Sequence, residues 1–136
     1  MADRLHDEWR ASRRLPGGGY AARVKKTGDQ RWITSHGTDQ VDIANTRYQD
    51  LPADWQRETR ESADLAVGLV RDSWLRGVDP RSEEFIESAS SRVHDAWLRR
   101  NGAWAPPEQR LPYAELAEEE KAKDRAFVLM ALDLFE

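Results

Sequence analysis

The 136-residue chain has no cysteine. Disulfides, thiolate zinc sites and a cysteine nucleophile are therefore excluded, and the composition fits a reducing interior. No apolar run approaches the ~20 residues that a membrane-spanning helix needs. The opening stretch MADRLHDEWR is charged throughout and lacks the apolar core of a signal peptide, so a cytoplasmic location is expected. Histidine is scarce, at three residues, with no His-Glu-x-x-His pattern and no Asp-rich calcium loop; no metal site is readable. The GGGY at 17–20 is not followed by Gly-Lys-Ser/Thr, so it reads as a flexible turn and not a phosphate loop. No Ser-His-Asp constellation stands out. These absences predict a protein that is not an enzyme, carries no cofactor and does not enter a membrane.

What is present suffices for a core. Hydrophobic residues make up 39% of the chain, charged residues 34%, and there are six tryptophans. That suits one domain or two small units sharing a core. The net charge of −4 is unevenly spread: residues 1–36 hold eight Lys/Arg against four Asp/Glu, and the remainder holds thirteen against twenty-one. A head of +4 is far less basic than a nucleic-acid footprint, so docking on the acidic body or solvation accounts for it first.

Periodicity predicts a mainly α fold with minor β. Helices are expected over 3–14, 52–76, 82–100 and 117–135. Asp50 is placed to cap the second, with Pro52 in its first turn. Trp9, Trp55, Trp74 and Trp97 fall on helical faces and read as core. Between residues 20 and 45 stand the only strand-like signals, YAARV, RWIT and QVDIA, separated by TGD and HGTD turns; a small hairpin or extended loop is expected there.

The chain repeats itself. At an offset of 65, Tyr48 falls on Tyr113, Leu51 on Leu116, Arg60 on Arg125, Ala66 on Ala131 and Leu69 on Leu134. Upstream, LHDEW at 5–9 echoes VHDAW at 93–97, pairing His6 with His94 and Trp9 with Trp97. The His-to-Tyr spacing is 42 residues in the first copy and 19 in the second, so the first holds a 23-residue insertion. The expected organisation is two helix–loop–helix repeats, 1–76 with an insertion at about 17–45, and 80–136. Each has an apolar face that pseudo-symmetric packing against the other would bury.

The second copy resembles the ryanodine-receptor repeat, the RyR domain. The residues that carry this are His94 and Trp97, Gly102 and Trp104, Pro112, Tyr113 and Leu116, then Glu120, Lys121, Asp124 and Arg125. The first copy keeps His6, Trp9, Tyr48, Leu51 and Arg60, but reads WQRETR where the Glu-Lys-x-x-Asp-Arg stretch belongs and Gly19-Tyr20 in place of Gly-Trp. The resemblance implies a tandem pair of helical repeats that is regulatory and non-catalytic, of a kind found as small free-standing prokaryotic or phage-borne proteins. It also implies that an adenine-nucleotide-like ligand sits between the paired repeats near the Gly-Trp tryptophan.

The residues themselves add candidates. His6 and His94 each have Trp at i+3, which reads first as structural, with one ring nitrogen hydrogen-bonded, and second as a ligand or base. Glu120 with Asp124, and Lys121 with Arg125, are like-charge i,i+4 pairs that require partners elsewhere: the other repeat, carboxylates of the second helix, or carbonyls of the Tyr loop. An ion-pair network holding the turn is the first expectation. In the insertion, Arg23 and Lys26 beside Trp32 are cations near an aromatic face, suited to a phosphate and a base. With Tyr20 and Trp104 they form the expected binding set for a small anionic, nucleotide-like ligand. The competing reading is a protein-interaction module, docking a partner chain or a second copy through exposed aromatic loops.

Overall fold

Ala2, Leu5 and His6 recur at helical spacing and bury one side of α1 (Ala2–Ala11). In the computed structural model, which describes residues 2–135, the chain is mainly helical with one two-stranded sheet among those residues. It falls into two compact units, 1–60 and 61–136, whose boundary lies inside a helix and not at the 76–80 turn where the sequence divides the copies.

In the first unit, α1 stops three residues short of the predicted end. The Arg13 guanidinium reaches the carbonyls of Ala21 at 2.8 Å and Ala22 at 2.9 Å, pinning the returning chain beside the helix end. The glycine turn then closes through an isolated bridge between Arg14 and Tyr20. Asn45 completes it: its amide accepts from Tyr20 N at 3.1 Å and donates to Tyr20 O at 3.0 Å, as a neighbouring strand would.

The insertion corrects one expectation. Strands β1 (Val24–Lys26) and β2 (Gln40–Asp42) pair antiparallel, with Lys25 opposite Val41. RWIT, expected as strand, instead lies in α2 (Gln30–His36). The ends decide this against the β-prone Trp and Ile. Asp29 Oδ1 accepts from the amides of Arg31 at 3.1 Å and Trp32 at 3.3 Å. At the other end Gly37, at φ 73°, takes the left-handed cap and its N–H bonds Ile33 O at 2.8 Å.

A single 3-10 turn, Tyr48–Asp50, leads into α3 (Ala53–Leu75). Asp50 does not cap that helix; it lies in the 3-10 turn and pairs with Arg47 at 3.2 Å. The cap comes from Asp29, whose second oxygen accepts from Ala53 N at 2.9 Å. Asp54 returns the link, accepting from the Thr27 hydroxyl at 2.7 Å and Gly28 N at 2.9 Å. Leu5, Val41, Ala44 and Leu51 are the buried hydrophobic core here, beside the buried Pro52.

The second unit starts within α3. That helix ends in a Schellman turn: Val78 N bonds Ser73 O at 2.9 Å, with Gly77 at φ 72°. Ser82 caps α4 (Glu83–Asn101) through Phe85 N at 3.2 Å. A loop with a 3-10 turn at Pro107–Gln109, and a further turn at Tyr113–Glu115, lead to α5 (Glu118–Leu134), which packs along α4. Small residues fill this core: Ala66, Val70, Ala89, Ser90, Val93, Val128 and Ala131 are all essentially inaccessible. Ser90 satisfies its hydroxyl on Ile86 O at 2.7 Å, so it sits inside without an orphaned donor. The tryptophans stand further out than expected. Trp9, Trp55 and Trp97 are half-buried, and Trp74 is 49% exposed. The face of α3 that faces inward runs through Ala66, Leu69, Val70 and Ser73, which turns Trp74 outward.

Candidate functional site

Each unit builds the same turn from the same parts. In the first, His6 on α1 donates from Nε2 to Thr46 O at 2.7 Å, two residues before Tyr48. In the second, His94 on α4 donates from Nε2 to Leu111 O at 2.8 Å, two residues before Tyr113. Each histidine stacks on the Trp at i+3, with centroids 5.7 and 6.2 Å apart. Asp50 N to Arg47 O and Leu51 N to Tyr48 O measure 2.9 and 3.1 Å, and the bonds 65 residues on, Glu115 N to Pro112 O and Leu116 N to Tyr113 O, measure the same. Both turns end on a buried leucine.

The copies part in their polar chemistry. In the second unit Arg125 forks onto Glu87, Nε to Oε2 and Nη2 to Oε1, both at 2.8 Å. The Tyr113 hydroxyl donates to the same Oε2 at 2.7 Å. The Arg125 guanidinium, against opposing burial, and the Tyr113 hydroxyl hold the Glu87 carboxyl down at about 2. Burial, then the bond to Glu87, pushes the Tyr113 phenol up to about 12. Lys121 lies over the Tyr113 ring at 5.6 Å, and Glu120 binds Lys123 at 3.0 Å. Asp124 faces His94 Nδ1 at 3.4 Å. The like-charge pairs thus find partners on α4 and on their own helix, and not among the second-helix carboxylates. Glu87 was missed in the sequence, although it lies two helical turns before His94, on the same side of α4.

In the first unit Thr59 stands where Asp124 stands in the second, and its hydroxyl bonds Trp55 O at 3.3 Å. With no carboxylate there, the histidines diverge. Burial lowers the His6 pKa despite its bond to Thr46 O. Burial also opposes a charge on His94, but the bonds to Asp124 and Leu111 O outweigh it and raise that pKa.

No family model, curated protein or solved structure matches this chain.

The expected binding residues fall in both units. Tyr20, Arg23, Lys26 and Trp32 belong to the first and Trp104 to the second. Tyr20 lies under the Arg10 guanidinium, 4.4 Å from its centroid. Arg23 and Lys25 turn to the partly covered side of β1, and Val24 and Lys26 to the open side. Arg23 is held through its backbone, its N–H bonding Asp42 Oδ1 at 3.0 Å. Lys26 gives its carbonyl to the Trp55 indole N–H at 3.0 Å. Neither the Arg23 nor the Lys26 side chain forms an ion pair among the described residues. Trp32 stacks face to face on the exposed His36, centroids 4.0 Å apart at 12°. The Trp32 indole N–H is buried and has no acceptor among the described residues. Trp104 is 48% exposed and meets Trp97 edge-on at 6.0 Å. No group of acidic or His side chains suited to a metal ion occurs among the described residues, and no helix there is long and apolar enough to cross a membrane.

Proposed function

We propose that the chain is a non-catalytic binding module of the ryanodine-receptor-repeat kind, one that takes a small anionic, nucleotide-like molecule in a cytoplasmic setting. The observation that carries the reading is the unspent chemistry of the insertion. Among the described residues, Arg23 and Lys26 hold charge outside any ion pair, and Trp32 keeps an indole donor without an acceptor, which a folded protein rarely leaves so. Cations meet phosphate, and a ring already stacked on His36 extends naturally to a base. Trp104 offers a second exposed aromatic face, in the second unit. The absence of catalysis is supported by the histidines: His6 and His94 each spend a ring nitrogen on a carbonyl and a ring face on a tryptophan.

The test is a thermal-shift series with ATP, ADP, AMP and cyclic nucleotides. A ligand at a hundred times its Kd stabilises the folded state by about 2.7 kcal/mol. The gain should disappear in Arg23→Ala/Lys26→Ala and weaken in Trp32→Phe. No shift with any nucleotide sinks the reading. A second reading, an assembly module, is favoured by the apolar surface at two helix ends of the second unit: Trp74, Leu75 and Val78 after α3, and Leu134 and Phe135 after α5. A mass that grows with concentration in sedimentation, without any nucleotide effect, selects it.

A further inference from the structure

His94 is held from several sides within the second unit. Its Nε2 bonds Leu111 O at 2.8 Å. A carbonyl only accepts, so Nε2 carries a hydrogen whatever the ring's charge. A neutral imidazole has one N–H, which leaves Nδ1 as a bare lone pair. That nitrogen faces Asp124 Oδ2 at 3.4 Å, with the two side chains only 5% and 13% exposed. Two acceptors so deeply buried need a proton between them.

The surrounding charges are few. On α4, Asp95 adjoins His94 and favours the cation. On α5, Glu120 and Lys123 act on Asp124 in opposite senses. The loop supplies the Leu111 carbonyl, and Trp97 stacks with the ring. Burial disfavours the imidazolium, the Asp124 and Leu111 bonds overcome it, and the ring's pKa is raised from 6.5.

We propose that His94 and Asp124 form a one-proton latch on the turn that starts at Leu111: while they share the proton the turn is fastened to α4, and when it leaves to solvent the turn loosens. The loop so governed runs back through the 3-10 turn at Pro107–Gln109 to the exposed Trp104. Tyr113 stays anchored through Glu87, which confines the loosening to the loop before it. The first unit has no such latch. Its Thr59 offers no carboxylate, and His6 is surrounded by Arg10 and Asp7 on α1, the carbonyls of Thr46 and Ile43, and the Tyr48 ring.

The experiment is an NMR titration of the histidine rings in the full chain, with amide exchange followed over the same pH range. His94 should titrate above 6.5 and His6 below it. Asp124→Asn should bring the His94 midpoint below 6.5, and Thr59→Asp should raise that of His6. Corrected for intrinsic exchange, protection at Leu111 should fall through the His94 midpoint, tenfold for each unit that the midpoint lies above 6.5. A His94 midpoint at or below 6.5, or protection that stays flat across it, overturns the latch. Both curves come from the unaltered chain, so the latch can be refuted even if Asp124→Asn does not fold.

Discussion

Glu87 receives three hydrogen bonds on its two oxygens, from Arg125 Nε, Arg125 Nη2 and the Tyr113 hydroxyl. Glu87→Gln keeps the shape but removes the charge and turns one acceptor into a donor facing a cation. After discounting for solvent, since the side chain is 37% exposed, the cost should be about 1–2 kcal/mol in chemical denaturation. The pH dependence follows from a carboxyl depressed from 4.5 to about 2. Its contribution is present above 4.5 and is lost as pH falls through 2. The unaltered chain should therefore lose stability over that acid window more steeply than Glu87→Gln. Equal slopes would show that the fork adds nothing beyond packing.

At the scale of elements, Asp29 starts two helices at once, capping α2 with one oxygen and the first amide of α3 with the other. Asp29→Ala should cost about 1–2 kcal/mol and speed amide exchange at Arg31, Trp32 and Ala53 together, while Asp29→Asn keeps much of the protection. Exchange rising at α2 alone would remove the link to α3. The long helices were legible in the sequence to within a few residues, because Phe85, Ala89 and Val93, or Ala66, Leu69 and Val70, repeat at helical spacing. RWIT was not, because its fate is decided by Asp29 and Gly37 outside the segment and by a partner amide 24 residues away. For the same reason Asp50, well spaced for a cap, was outcompeted by a carboxylate from another element. Trp74 misled because helical position does not say which side faces the core when alanines and valines already fill it.

Across the whole molecule, the two histidines pull stability in opposite directions. A group raised above 6.5 in the fold, as His94 is, stabilises below 6.5, and that support is lost as pH rises through its folded pKa. His6, lowered by burial, stabilises above 6.5, and its support is lost as pH falls through its folded pKa. In urea denaturation His94→Gln should leave a stability that rises with pH near neutrality, and His6→Gln one that falls. The same sign in both variants would contradict the assigned environments. The repeat that pairs these residues was readable because His, Trp, Tyr and Leu recur in order. Their divergence was not, since it rests on what faces position 59 or 124 in space. The double anchorage of Asp29 has one more consequence, for protein engineering. An attempt to streamline the first copy to the length of the second, by excising its additional 23 residues, would also delete the carboxylate that seats the following helix, so a minimised variant must bring a replacement acceptor for Ala53.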